Sequence, residues 1–360
     1  MANVVIVGGG IIGCATAYYL AREGATVTVL ERGDISGEAS GAAAGMLAAL
    51  SDEGERPRLF TQLCDESLAL YQPLLPVLAE TGIDVRHHRV GVLNLALRDA
   101  EVRNLRARYE KDQTNTLQWL EPDDLRLVEP QANPKALGGL LVPDQQYVDP
   151  QRTTQALGEA ARRAGARIVE HEPVTGFARS KGNITAVITP SGRYGGDTFV
   201  LAGGPWTMAL ARQLGAYIPT RPIRGQMLSL QGPPTPLQTM IWGRHAYLVP
   251  REDGQTYIGA TVEDVGYRKQ TTAAGIASLR SGAAELVPSL ATAKQRRAWA
   301  GLRPGSPDEM PIMGRLPGWD NAWVSTGHLR NGILLAPVSG HMLARTIRGE
   351  DVLELAALSP

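Results

Sequence analysis

The hydrophobic pattern opens with a short apolar, β-branched run, Asn3–Val7, of the kind expected in a strand buried on both faces. Three glycines, Gly8–Gly10, break it. Apolar positions then recur at helical spacing over Ile11–Glu23, and Gly24 marks the stop. A second β-branched run, Thr26–Leu30, ends directly on Glu31. Beyond this unit the spacing predicts helices over 61–80 and 99–112 and strands at Val90–Leu97 and Ala136–Val142. Pro150 opens a helix over 151–164, and strands follow at 166–170, 184–189 and 193–202. Residues 217–261 alternate, with many Gly and Pro breaks, and read as β-rich. Helical spacing returns over 271–286 and, in a last amphipathic stretch, over 337–348. No repeat, low-complexity segment or linker interrupts the mixture. Interleaved domains are therefore expected, with boundaries no sharper than about ten residues.

Length supports more than one domain, because 360 residues exceed what one ordinary core encloses. Hydrophobic residues make up 43% and charged residues 20%, the profile of a soluble globular enzyme. Thirty-six basic and 36 acidic residues cancel to a formal net charge of +0, so composition points to neither nucleic acid nor an anionic membrane. Cys14 and Cys64 are the only cysteines and form no ligand or redox pair, which favours a reduced, cytoplasmic protein. Val4–Ala17 is apolar enough to imitate a signal peptide, yet no Lys or Arg precedes Arg22 and glycines interrupt the run. No uninterrupted apolar stretch reaches the roughly 18 residues of a membrane span. No zinc or iron ligand spacing and no nucleophilic-serine elbow is present.

Gly8-Gly9-Gly10-Ile11-Ile12-Gly13 fits G-x-G-x-x-G. With 40 glycines in 360 residues, chance alone supplies that pattern about 0.5 times. Context raises its weight: the motif follows a strand, opens a helix, and precedes by 18 residues an acid at the end of the next strand. Gly8 permits the tight turn, Gly10 lets backbone approach a pyrophosphate, and Gly13 lets the helix lie close on the strand. The helix N-terminus faces the phosphates, and Glu31 can accept from a ribose diol. The motif does not separate NAD from FAD. Three further stretches bear on that choice: the small-residue run Ser40–Met46, the strand and glycine turn of Thr198–Trp206, and Ser325–Pro337, where a strand ends in a glycine-flanked loop that feeds the final helix. Its N-terminus would stabilise negative charge at the pyrimidine end of a reduced flavin.

Together the four stretches resemble the D-amino-acid oxidase-like family of FAD oxidoreductases, and within it the bacterial glycine oxidases of thiamine biosynthesis. The resemblance spans residues 1 to about 348 and is carried by Ser-Gly-Ala-Ala-Ala-Gly-Met at 40–46, Gly-Leu-Arg-Pro-Gly at 301–305 and Gly-His-Leu-Arg-Asn-Gly-Ile-Leu-Leu-Ala-Pro at 327–337. It implies an α/β fold with an α+β second domain: a discontinuous Rossmann-like FAD domain (1–84, 146–215, 300–360) interleaved with a substrate domain on an antiparallel sheet (85–145, 216–299). It implies FAD contacts from Gly8, Gly10, Ile11, Ile12, Gly13, Glu31, Arg32, Ser40, Ala43, Ala44, Gly45, Met46, Val174, Ala202, Gly203, Trp206, His328, Arg330, Asn331, Gly332, Ile333 and Leu334. Some relatives tether flavin to a late cysteine. None follows Cys64 here, so the FAD is expected to be non-covalent.

The resemblance also implies oxidative deamination of a small amino acid (glycine, sarcosine or D-alanine), with oxygen reoxidising the flavin. Arg303 matches the arginine that grips the substrate carboxylate, a task suited to a guanidinium fork; by itself it is one arginine among many. Tyr247 matches a tyrosine that adds a second carboxylate contact, although a strand tyrosine is more often packing. Period-two alternation puts His245 on the face of Tyr247, either edging the pocket or satisfied within the strand. Arg330 matches a position whose carbonyl accepts from the amine, with side-chain pairing in its own loop as the alternative. Met46 would lie against the flavin or fill core. No dedicated base is evident, and hydride transfer from an unprotonated amine needs none. The small neighbours Ala48 and Ala49 do not by themselves close a pocket, so D-amino-acid, sarcosine and proline oxidases or dehydrogenases remain alternatives. A non-catalytic flavin-fold binding protein is a remote one. A homotetramer or homodimer is expected from the resemblance alone.

Overall fold

The computed structural model describes residues 2–48, 57–112 and 116–360; Ala49 lies outside the described residues. Two large sheets organise the chain. A six-stranded sheet runs in the order Ile312–Arg315, Ala322–Thr326, Thr198–Leu201, Asn3–Val7, Thr26–Leu30, Arg167–Val169. Its pairings are parallel except for the antiparallel edge strand Ile312–Arg315. Asn3–Val7 is central and buried, as its uniform β-branched run requires. Helix Ile11–Arg22 crosses over to Thr26–Leu30, and helices Pro150–Arg163 and Gly332–Ile347 pack against it.

An eight-stranded sheet is antiparallel apart from one parallel pairing. Its order is Gln295–Gly305, Arg221–Gln231, Gln255–Gly259, Tyr247–Pro250, Met240–Trp242, Val92–Ala96, Gly138–Val142, Gln118–Leu120. Helix Ala273–Leu286 covers one face and closes a core of Leu228, Leu230, Ile241, Leu248 and Ile258.

Three differences from the sequence reading stand out. The run 193–202 is two strands in two sheets, Gly192–Gly195 and Thr198–Leu201, split at Gly196. Gln295–Gly305 is a strand of 11 residues where the sequence reading assigned no element. Pro304 is tolerated because this strand lies at the sheet edge. The last helix starts at Gly332, so Pro337 lies inside it. A proline there cannot donate to the carbonyl of Ile333. That oxygen instead accepts from the Tyr71 hydroxyl at 2.6 Å, and Ser67 Oγ donates to Leu334 O at 2.6 Å. The helix Arg58–Glu80 therefore supplies the bonds that the proline removes.

Candidate active site

Where the two sheets face one another lies a cavity of about 740 Å³. Its floor is the glycine turn. Gly8 has φ +119°, and a Cβ there would lie 2.4 Å from Ala202 O; a Cβ on Gly13 would lie 2.0 Å from Gly8 O. The first helix therefore comes as close to the strand as backbone allows. Glu31 Oε2 accepts from Gly9 N at 2.7 Å and Oε1 from Gly33 N at 2.9 Å. Each oxygen keeps a lone pair for a ribose hydroxyl. Gly10 caps the helix with no side-chain bond of its own, and Ser40 Oγ accepts from Ile11 N at 2.9 Å.

Ala39–Ala42 forms a short helix, followed by Gly45 with φ +80°. Buried Arg251, just past the strand Tyr247–Pro250, holds this run: its guanidinium donates to Ala44 O and, at 3.1 Å, to Val148 O, and lies 4.2 Å over the Tyr257 ring.

The opposite wall carries the charged chemistry. Arg303 and Tyr247 both line the cavity, and each rests on a glycine. A Cβ on Gly225 would lie 2.3 Å from Arg303 Cζ, and one on Gly259 would lie 2.2 Å from the Tyr247 hydroxyl. Arg303 Nη1 donates to Thr261 O at 2.9 Å. Burial depresses its pKa and so does Arg330, against the pull of Tyr247; a guanidinium nonetheless stays protonated. Burial raises the Tyr247 phenol, which Arg303, Arg330 and Arg251 oppose. Trp242 stacks on Tyr247 with ring centroids 5.1 Å apart. Arg303 thus has donors to spare, in surroundings where a bound anion relieves the repulsion from Arg330.

The last helix ends the cavity with Gly332 and Ile333, and its cap residue Asn331 makes no side-chain capping bond. Its first-turn N–H groups present positive potential to whatever fills the space. His328 is buried, with Nε2 2.9 Å from Ser339 Oγ, and burial pushes its pKa down to about 3.

The family model for FAD-dependent oxidoreductases, DAO, matches residues 3–346. The chain belongs to the DAO family of FAD-dependent oxidoreductases. This FAD-dependent oxidoreductase is 34% identical to the glycine oxidase of Bacillus licheniformis over 351 residues, covering 97% of the chain and 94% of that relative. It is 36% identical to the bifunctional protein ThiO/ThiG of Synechocystis, covering 99% of the chain and 53% of that longer protein. The crystal structure of glycine oxidase from Geobacillus kaustophilus superposes with a TM-score of 0.94 at 31% identity, covering 99% and 98% of the two chains. The cavity suits the cofactor of the family: a glycine cradle that any Cβ would block, a carboxylate at ribose distance in sequence, and two helix N-termini facing one space.

Of the residues named from sequence, all line the cavity of the oxidoreductase except Gly13 and Leu334. Gly13 packs against the Gly8 carbonyl. Leu334 is in the core, its carbonyl bonded to Ser67, because it points from the last helix away from the cavity. His245 lines the cavity but lies in the connection between Met240–Trp242 and Tyr247–Pro250, so strand alternation does not apply to it. Arg330 is exposed at the cavity rim. Sequence reasoning missed Gly225, Gly259, Met227 and Trp242. The two glycines interrupt strand patterns, which is itself a sign of close approach by another group.

Proposed function

We propose that the protein is an amino acid oxidase whose preferred substrate is glycine, with other small amines such as sarcosine and D-alanine accepted less well. The observation that carries this reading is the Arg303–Tyr247 pair, seated on Gly225 and Gly259 and directed into the space that FAD shares. Arg303 and the Tyr247 hydroxyl hold the substrate carboxylate, the fork supplying two parallel charge-assisted bonds. The Arg330 carbonyl orients the amine, and His245 and Met46 edge the pocket. FAD, when bound, supplies the two-electron acceptor.

For glycine, the α C–H bond breaks with its electron pair and the nitrogen lone pair closes the C=N bond of iminoacetate. Hydrolysis then gives glyoxylate and ammonia, and oxygen leaves with both electrons as hydrogen peroxide. The ammonium first gives its proton to solvent; the α-hydrogen then leaves with its electron pair, so no base has to abstract it and positioning by Arg303 suffices. The likeness to ThiO/ThiG proteins supports a role in supplying iminoacetate to thiazole synthesis. In this reading residues 1–84, 146–215 and 300–360 form the FAD domain and 85–145 and 216–299 the substrate domain, with Arg303 and Arg330 reaching the substrate from the former, in a cytoplasmic homotetramer or dimer.

The test is the visible spectrum of the purified protein on anaerobic addition of glycine, D-alanine or sarcosine. Fastest bleaching of the flavin bands with glycine supports the assignment. Bands present but untouched by all three would overturn it.

A further inference from the structure

The irregular segment 262–270 leaves the eight-stranded sheet and reaches the other wall of the cavity. Tyr267 stacks on Trp206 with centroids 5.7 Å apart, and its hydroxyl donates to Pro205 O at 2.9 Å. On the cavity side, the Arg32 guanidinium lies 3.6 Å from the centroid of the same indole. Lys269 Nζ donates to Glu38 Oε2 at 2.7 Å and to Gly37 O at 3.3 Å, while Arg32 Nη2 donates to Glu38 Oε1 at 2.8 Å. Glu38 is therefore shared between a lysine of one sheet's segment and an arginine of the other's. Arg32, Glu38 and Trp206 line the cavity beside Glu31 and the glycine turn. Tyr267 and Lys269 stand behind them.

The segment has a firm base. Buried Arg224 pairs with Glu263 through side chain and backbone, and its Nη1 donates to Gln270 O at 2.9 Å. The tip is thus braced from a strand, while both of its contacts fall on residues that enclose the nucleotide end.

We propose that segment 262–270 is a clasp, with Lys269 and Tyr267 positioning Arg32 and Trp206 over the nucleotide half of FAD and setting how slowly the cofactor leaves. This rests on the FAD dependence of the family and not on which amine is oxidised. Lys269 and Glu38 are partly exposed, so their pairing is weakened by salt. The stack of Tyr267 on Trp206 is not.

The test dilutes holoenzyme and follows FAD release by the rise in flavin fluorescence, at low and high sodium chloride. Lys269→Gln is expected to speed release about threefold at low salt and to remove most of the salt dependence. Adding Tyr267→Leu is expected to bring the increase to about tenfold. Glu38→Gln should add less to Lys269→Gln than it does alone, since the two act through one contact. The thermal midpoint in saturating FAD should fall by no more than the weaker binding itself accounts for, RT times the logarithm of the fold-change in release. Release rates equal to the parent's in the double variant overturn the proposal. Faster release accompanied by a fall in the midpoint larger than weaker binding accounts for overturns it as well, because the segment would then be ordinary scaffold.

Discussion

Arg303 Cζ lies 2.3 Å from the point where a Cβ on Gly225 would stand, so the guanidinium keeps its place only while that position is glycine. Flanking it on the same strand are Arg224 and Gln226, which face the opposite way and bond Glu263. Gly225→Ala is expected to displace the fork from the cavity without touching the glycine turn. A misplaced charge-assisted contact costs about 1.5–3 kcal/mol, so kcat/KM for glycine should fall about 10- to 100-fold. Flavin absorbance per chain should remain that of the parent. Steady-state oxygen uptake and the visible spectrum check both halves.

Gly13→Ala should do the reverse. Its new methyl would meet Gly8 O at 2.0 Å, forcing the first helix off the strand and opening the cradle. The purified variant is expected to carry little flavin, read from its visible absorbance. It should also melt earlier, by the cost of overpacking, about 1–3 kcal/mol.

Arg251→Met removes donors to two carbonyls that have little access to water, Ala44 O and Val148 O. Leaving them short of partners costs about 2–4 kcal/mol, measured by denaturant unfolding of the holoenzyme. Because those carbonyls fix the run that borders the cavity, FAD should also dissociate faster. An unchanged off-rate would mean that the run holds its shape without the arginine.

His328 gives a pH dependence with a definite sign. Burial lowers its pKa from 6.5 to about 3, so the folded chain favours the neutral ring while the unfolded chain takes up a proton below 6.5. Its contribution to stability is complete above pH 6.5 and is lost progressively as pH falls toward 3. Thermal midpoints taken from pH 7 to pH 4 should fall less steeply in His328→Asn than in the parent protein.

The first forty residues were readable because each signal there is local: a buried strand, a glycine turn, a helix, and an acid at the next strand end. Arg303 was found through its Gly-Leu-Arg-Pro-Gly setting, yet its strand was not. Glycine and proline in an edge strand look like a turn until the neighbour, Arg221–Gln231, is seen pairing with it. Pro337 misled in a similar way. It reads as a helix start, and only a distant tyrosine, Tyr71, makes a proline tolerable one turn further in. The seat of Arg303 at Gly225 joins strands far apart in sequence, and Tyr247 meets Gly259 and Trp242 across neighbouring hairpin strands; neither kind of pairing is encoded by spacing along one strand.

Strand Arg221–Gln231 carries the seat of Arg303 on one face and the anchor of segment 262–270 on the other, at adjacent positions. With the roles proposed for Arg303 and the clasp, substrate choice and cofactor retention are mechanically linked. Anyone enlarging the pocket by repacking residues 224–226 should expect a paler enzyme along with a broader one. Selection for turnover on a bulkier amine would then have to find its compensating changes in the clasp, some distance from the chemistry it set out to alter.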